Sequence, residues 1–253
     1  MKSKRLIEME SYILSRVSVT MDELCSAFGI SMNTARRDLT ELVKGGRVQK
    51  VYGGAQARMA VPGLVPYSVR SNSPSSAKRA ICLLAAKMVK DGDIVFIDSG
   101  TTTEHIMEAL RDKNITVITN NFEVMLQAMD YENIRLIVVP GELNRKTHSV
   151  AGEESAAFLN TMNTNIAFMA ATGASQTGVT NSTLMEYTIK KAAVAHTEKA
   201  VLLVTANKFE ITSLFTYAKL EQFHTVITDD SVTPEQIKHL KALNIDVQIA
   251  SAE

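Results

Sequence analysis

The chain has 253 residues, 45% hydrophobic and 21% charged, with a formal net charge of zero. This composition is typical of a globular protein with a buried core, and the length suits a small domain plus a larger one. Because the net charge is zero, the chain as a whole is not basic, as many nucleic-acid-binding proteins are. The opening sequence, MKSKRLIEMESYILS, has acids where a signal peptide has its apolar core. No apolar run approaches the about 20 residues that cross a bilayer. We therefore expect a soluble, cytoplasmic protein with no membrane partner.

The charges are unevenly distributed along the chain. Residues 1–60 contain ten Lys or Arg against six acids, which leaves this segment about +4 and the remainder about −4. A basic segment joined to a mildly acidic one fits a DNA-binding module attached to another domain. Cys25 and Cys82 lie in apolar, helix-like patterns, so we expect small buried side chains in a reducing compartment. No metal-ligand spacing occurs, and we expect neither metal nor cofactor.

Three helices and a hairpin are predicted first. Apolar residues at helical spacing predict a helix over 3–16. Thr20 and Glu23 form a capping-box pattern that opens a second helix ending at Gly29. Ser31 can cap a third helix, from Met32 to about Lys44. Two short β-like pieces follow, at 47–51 and 55–58, around a glycine pair.

The remainder of the chain changes composition twice. Residues 59–75 hold three of the five prolines and several serines, and we interpret them as a linker between domains at 3–58 and 76–253. From residue 76, helices alternate with short apolar strands. Strands are predicted at 94–98, 116–119, 135–139, 166–170, 201–205, 225–228 and 246–249. This alternation predicts an α/β fold, with an open parallel sheet covered on both faces.

The second and third helices have the dimensions of a helix-turn-helix, in which the second of the pair enters the major groove. Its N-terminal part, SMNTARRDL, offers short hydrogen-bonding side chains in the leading turn and two arginines one turn later, a set suited to base edges and phosphates. Leu39 and Leu42 should face the helical core, and Asp38 should pair with an arginine of the protein. The hairpin would be a wing that follows the DNA backbone. The predicted DNA contacts are Thr20, Ser31, Asn33, Thr34, Arg36, Arg37, Lys50 and Tyr52. The alternative is a helical bundle with solvated arginines.

Polar residues follow several strands of the second domain. Asp98, Gly100 and Thr101–Thr103 lie between a strand and a helix, at the edge where ligands bind in open α/β folds. Free N–H groups and three hydroxyls suit an anion such as phosphate, although a plain threonine helix cap is the alternative. Asn120 ends the next strand, and Arg145 and Lys208 are candidate cations after later ones. A carboxylate repels phosphate, so Asp98 is expected to accept hydrogen bonds from sugar hydroxyls.

Nearly the whole chain resembles the DeoR family of bacterial regulators. The N-terminal landmarks are Arg5, the SxxTxRRDL pattern at Ser31–Leu39 and Y-G-G-A at Tyr52–Ala55. The C-terminal landmarks are D-x-G-T-T-T at 98–103, Thr119-Asn120, Gly152, Glu186 with Lys190, Lys208-Phe209 and I-T-D at 227–229. The usual Gly-Gly after the third strand is Pro140-Gly141 here, and the usual acid before the lysine motif is Thr205. Through the family, Gly152, Glu186 and Lys190 join the predicted effector site, and the sensor domain is implied to share the fold of ribose-5-phosphate isomerase.

The resemblance implies a repressor of a carbohydrate-catabolism operon, controlled by a phosphorylated sugar and not an enzyme. Its partners would be double-stranded operator DNA, the effector and a second copy of itself, in a homodimer or higher homo-oligomer. Two other functions stay open. A phosphosugar isomerase with a DNA-binding appendage would use Asp98 or Glu186 as a base. A binding module would recognise another protein in place of a metabolite.

Overall fold

The structure, a computed structural model, describes residues 2–16, 18–45, 48–51, 53–57 and 75–251. The chain divides into two compact units, residues 1–73 and 74–253. The predicted linker, 59–75, lies outside the described residues except for its last position. None of the described helices is long and apolar enough to span a membrane.

The first unit is a three-helix, three-strand module. Its elements are α1 (Lys2–Arg16), β1 (Ser18–Thr20), α2 (Met21–Phe28), α3 (Met32–Lys44), β2 (Val48–Val51) and β3 (Gly54–Ala57). The strands are antiparallel in the order β1-β3-β2. Side chains from every element form one buried core, namely Met9, Ile13, Val19, Leu24, Leu39, Leu42, Val48 and Ala55. The three predicted helices and the hairpin are confirmed, whereas the short strand β1 was not predicted.

Local capping explains where the helices of this unit begin and end. Thr20 and Glu23 form the predicted capping box at α2, and α2 ends at Gly29 with a left-handed φ of 59°. Ser31 caps α3 by accepting a hydrogen bond from the backbone N–H of Thr34. These two caps fix a turn of a few residues between α2 and α3.

The second unit is built on a seven-stranded sheet. The main elements are α4 (Ser75–Ala86), β4 (Ile94–Ile97), α5 (Ile106–Leu110), β5 (Ile115–Thr119), α6 (Phe122–Ala128), β6 (Ile134–Val138), β7 (Glu142–Asn144), β8 (Ser149–Ala151), α7 (Glu153–Leu159), β9 (Thr164–Ala170), β10 (Gly173–Ser175), β11 (Gly178–Asn181), α8 (Leu184–Ala195), β12 (Thr197–Leu203), β13 (Phe215–Ala218), β14 (Thr225–Asp229), α9 (Pro234–Ala242) and β15 (Asp246–Ala250). The sheet is parallel throughout, in the order β15-β14-β12-β9-β4-β5-β6. The predicted fold class, a parallel α/β sheet, is confirmed.

Helices cover both faces of this sheet and bury a separate apolar core on each. One core contains side chains of α4, α5 and α6, such as Ile81, Ile106 and Val124. The other contains side chains of α7, α8 and α9, such as Leu159, Ile189 and Leu240. Because apolar layers lie on both sides, the strands are nearly continuously hydrophobic.

Strand order reverses at β4. The chain runs from β4 outward to β5 and β6, then returns to the other side of β4 with β9, β12, β14 and β15. A crevice forms at such a switch point, beyond the carboxyl ends of the two strands that flank it. In this protein those strands are β4 and β9, so the switch point lies where Asp98 follows β4 and Ala170 ends β9.

Two small antiparallel sheets were not predicted. Strands β7 and β8 form a hairpin after β6, and β10, β11 and β13 form a three-stranded sheet. The helix expected after the threonine loop is a single 3-10 turn, Thr103–His105, followed by the short α5. Both departures lie at the carboxyl edge of the parallel sheet, where they shape the candidate ligand site.

Candidate DNA-binding and effector sites

The helix predicted to enter the major groove is α3, and five of the eight predicted DNA contacts lie on it or at its N-cap. Ser31, Asn33, Arg36 and Arg37 are all exposed, and Thr34 is half-buried. The Ser31 and Thr34 hydroxyls lie 3.0 Å apart at the first turn. The first two turns of α3 therefore present hydroxyl, amide and guanidinium groups to solvent.

The opposite face of α3 holds the helix against the module. Leu39 and Leu42 are buried, as predicted. Asp38 is fully buried and accepts a bond of 2.8 Å from Arg5 Nε, and Arg5 Nη2 lies 2.7 Å from the same oxygen. The predicted pairing of Asp38 with an arginine is thus confirmed, and the partner comes from α1. This pair ties the recognition helix to α1 by a charge-assisted contact.

The wing contacts the recognition helix directly. Lys50 on β2 donates a hydrogen bond of 2.9 Å to the Thr40 hydroxyl, which in turn donates to the Arg36 carbonyl at 2.7 Å. Thr20 is exposed, and its hydroxyl takes part in the α2 capping box. Tyr52, the remaining predicted contact, lies outside the described residues.

The second candidate site lies at the switch point and is organised around Asp98. Both carboxylate oxygens have protein partners: Oδ1 accepts from Ser99 N at 2.8 Å, and Oδ2 accepts from Ala170 N at 2.8 Å and from Lys190 Nζ. Burial raises the pKa of Asp98, the Lys190 ammonium opposes this rise and the Glu186 charge adds to it. Since its oxygens are already engaged, the geometry favours Asp98 as the group that positions Lys190.

Lys190 and Tyr217 complete the polar cluster over β9. Lys190 Nζ also lies 3.3 Å from the Ala170 carbonyl, to which the Tyr217 hydroxyl donates at 2.9 Å. Burial, followed by the Asp98 charge, raises the pKa of Tyr217. Lys208 donates to the neighbouring Ala171 carbonyl at 2.9 Å. Three side chains from different elements therefore converge on the end of one strand, and sequence reasoning missed Tyr217 among them.

The threonine loop is folded tightly against this cluster. Thr101, Thr102 and Thr103 are buried, and the Thr103 hydroxyl donates to the carbonyls of Asp98 at 2.6 Å and Gly100 at 3.0 Å. Gly100 has a φ of 155°, and a Cβ there would lie 2.6 Å from the Ala170 Cβ. Only glycine fits this close approach without displacing β9.

Two neighbouring asparagines follow β5. The Asn121 side chain donates toward the Asp98 and Gly100 carbonyls and the Thr103 hydroxyl, and it caps α6 by accepting from Glu123 N at 3.1 Å. Asn120 is also fully buried, but neither atom of its amide has a hydrogen-bond partner among the described residues. Sequence reasoning assigned Asn120 to the effector site and gave Asn121 no role.

The β7–β8 hairpin closes the site from the other side. Val150 N donates to the Asn120 carbonyl at 2.8 Å, and the Ser149 hydroxyl donates to Glu186 Oε1 at 3.2 Å. Gly152 follows the hairpin as the N-cap residue of α7. Arg145 is exposed on the hairpin turn, and no described contact joins it to Asp98 or Lys190. The structure thus gathers Asp98, Glu186, Lys190 and Lys208 around one strand end and leaves Arg145 at the rim.

Comparisons with known proteins agree with this division. The family model "DeoR-like helix-turn-helix domain" matches residues 5–59, and "DeoR C terminal sensor domain" matches residues 73–230. The HTH-type transcriptional regulator IolR of Bacillus subtilis is 39% identical over 99% of this chain and 100% of its own length. The lactose phosphotransferase system repressor of Lactococcus lactis is 29% identical over 94% of each chain. Ribose 5-phosphate isomerase A from Methanocaldococcus jannaschii aligns with a TM-score of 0.40 at 21% identity, over 54% of this chain and 55% of that one.

Proposed function

This chain belongs to the DeoR family of transcriptional regulators, and we propose that it represses a carbohydrate-catabolism operon until a phosphorylated sugar binds its sensor unit. One observation carries the proposal: the chain joins a helix-turn-helix unit with an exposed cationic face to a parallel-sheet unit with a buried polar cluster at its switch point. The first can contact DNA and the second can bind a polar metabolite. The names of two relatives, a regulator and a sugar-system repressor, support the same assignment.

The contacts to DNA would come from the leading turn of α3. Arg36 and Arg37 can reach guanine edges or phosphates, and the Ser31 and Thr34 hydroxyls can bind phosphate oxygens. Symmetric regulators present two such helices to a two-fold operator, so we propose that the working form is a homodimer.

The effector would bind between the threonine loop, α8 and the β7–β8 hairpin. Lys208 is the cation proposed to face its phosphate, while Glu186 would face hydroxyl groups. Asp98 and Lys190 would hold the end of β9 in place beneath the sugar.

The isomerase alternative has less support. A general base needs a free lone pair within reach of the substrate proton. Asp98 is fully buried and accepts three bonds within the protein, whereas Glu186 accepts one described bond, so Glu186 is the more available of the two candidate bases. Turnover of pentose or hexose phosphates by the pure protein would contradict a purely regulatory role.

Operator affinity of arginine variants tests the proposal. A duplex selected from random sequence by the full-length protein serves as the operator. Arg36→Ala or Arg37→Ala should weaken its binding by about 1–3 kcal/mol, because each removes a guanidinium from the groove-facing turn. Lys44→Ala, at the far end of the same helix where Lys44 pairs with Glu41, should change affinity much less. Wild-type affinity in both arginine variants would remove α3 from the interface.

A further inference from the structure

The side chain of Asn120 forms no hydrogen bond with any described residue, although it is buried as deeply as any in the sensor unit. It is 0% exposed, and neither Nδ2 nor Oδ1 has a partner among the described residues. A buried amide without hydrogen bonds is unfavourable, and native proteins rarely keep one without a function. An apolar residue of similar shape would suit a purely structural position better.

The position of Asn120 places it in the candidate effector site. It follows β5, which is hydrogen-bonded to β4, so it lies at the same sheet edge as Asp98 and the threonine loop. The adjacent Thr119 hydroxyl donates to the Ile97 carbonyl at 2.6 Å, and the Asn120 carbonyl accepts from Val150 of the hairpin. Two further orphan atoms, the hydroxyls of Ser99 and Thr102, belong to the neighbouring loop. The Asn120 amide and the Ser99 and Thr102 hydroxyls are thus buried polar groups without hydrogen-bond partners among the described residues, and all three lie along the carboxyl edge of the sheet.

We propose that Asn120 is a specificity-determining residue that recognises a hydroxyl group of the effector. This rests on the proposed function, since it assumes that a sugar phosphate occupies this site. A primary amide offers two donors and one acceptor, which together match a hydroxyl that both accepts and donates. Solvent does not reach either amide atom in this conformation, so contact with the effector requires the hairpin or the threonine loop to move.

This assignment predicts strong discrimination against deoxy analogues. A site built to bond a hydroxyl rejects an analogue that lacks it, because the buried polar group is then left unpaired. The effector that carries the recognised hydroxyl should bind at least about tenfold more tightly than its deoxy counterpart. In a variant without the amide, the difference should disappear.

The adjacent asparagine supplies a matched control. Asn121 has the same side chain, similar burial and internal hydrogen bonds at both atoms of its amide. Without ligand, Asn121→Leu should lower the melting temperature of the sensor transition by about 4 °C or more, because it removes several hydrogen bonds. Asn120→Leu should leave that temperature unchanged or raise it, since replacing an unpaired polar group by an apolar one of similar shape is neutral or stabilising. Asn120→Ala, which keeps more room, covers the case in which leucine does not fit.

The experiment measures melting and ligand affinity on the full-length chain. The probes are ribose 5-phosphate and glucose 6-phosphate with their 2-deoxy forms, and a cooperative melting transition of the sensor unit confirms that each variant is folded. Loss of the preference for the hydroxylated form in Asn120→Leu or Asn120→Ala, without thermal destabilisation, supports the proposal. Equal destabilisation by Asn120→Leu and Asn121→Leu, or an Asn120 variant that keeps wild-type affinity and preference, overturns it. If none of the probes binds the wild type, the proposed sugar-phosphate effector is contradicted. The melting temperatures without ligand still decide whether Asn120 lacks internal hydrogen bonds.

Discussion

Removing the Lys190 ammonium should leave a buried charge without a partner. Lys190 and Asp98 have side chains 4% and 0% exposed, and the ammonium contacts both the carboxylate and the Ala170 carbonyl. In Lys190→Met the apolar stem of the side chain is largely kept. The Ala170 carbonyl keeps its bond from Tyr217, and Asp98 keeps the two backbone N–H groups that it accepts from. The loss is therefore mainly the electrostatic contact between Lys190 and Asp98.

The size of this loss follows from the burial of both partners. Breaking a buried ion pair by removing one member costs about 3–5 kcal/mol. In a domain of this size each kcal/mol lowers the melting temperature by about 2–4 °C, so the sensor transition should fall by about 6–20 °C near neutral pH. Lys191→Met is the matched control, since Lys191 is exposed and stands over the Tyr187 ring. That variant should melt close to the wild type.

The fall in melting temperature caused by Lys190→Met should also depend on pH. Burial raises the pKa of Asp98, and without Lys190 the main opposing charge is gone. A carboxyl whose folded pKa lies above its unfolded value of about 3.9 binds more protons in the folded state, so stability falls as pH rises between the two values. The difference in melting temperature between Lys190→Met and wild type should therefore be smaller at pH 5 than at pH 8. Calorimetry at pH 5 and pH 8 measures this difference. The reasoning would be refuted if Lys190→Met lowered the melting temperature equally at the two pH values, or if it melted like Lys191→Met.

Three further predictions concern the effector, the oligomer and the thiols. Lys208→Ala should weaken binding of a phosphorylated effector by about ten- to hundredfold in calorimetry, since a charge-assisted bond contributes ~1.5–3 kcal/mol. If the wild type bound the phosphorylated and unphosphorylated forms of one sugar equally well, the site would not recognise phosphate. Sedimentation should find the full-length chain dimeric, with residues 1–58 alone binding the operator poorly; a monomer bound tightly to one half-site would contradict this. Burial raises the pKa of Cys82, so a thiol reagent at pH 8 should label Cys25, which is only partly buried, and reach Cys82 only on unfolding; rapid labelling of both would be the contrary result.

The elements that carry strong local patterns were predictable from sequence. The Thr20–Glu23 box, the glycine after α2 and the Ser31 cap each satisfy free backbone groups, so they place the helix ends without tertiary information. The parallel sheet followed from apolar runs separated by helices, because strands buried on both faces must be continuously hydrophobic. Strands β10 and β11 have three and four residues, too few to show a period, and their pairing depends on distant partners.

The candidate effector site was predictable in position and only partly in its bonding. The strand-to-helix loop at 98–103 indicated the edge of the sheet where polar groups would gather. It did not indicate that Asp98 would bond internally, because its partner Lys190 lies 92 residues further along the chain. The family resemblance named Asp98 and Lys190 separately, and the fold brings them into contact.

Asn120 and Asn121 illustrate why the rest requires the structure. The sequence offers two identical side chains in succession, each at the end of the same strand. Past the end of β5 the backbone directs the Asn121 amide to the threonine loop and to the first turn of α6, where both of its atoms form hydrogen bonds. The Asn120 amide is left without such partners among the described residues. Propensity is the same for both residues, so only the tertiary packing separates an amide with internal hydrogen bonds from one that has none among the described residues.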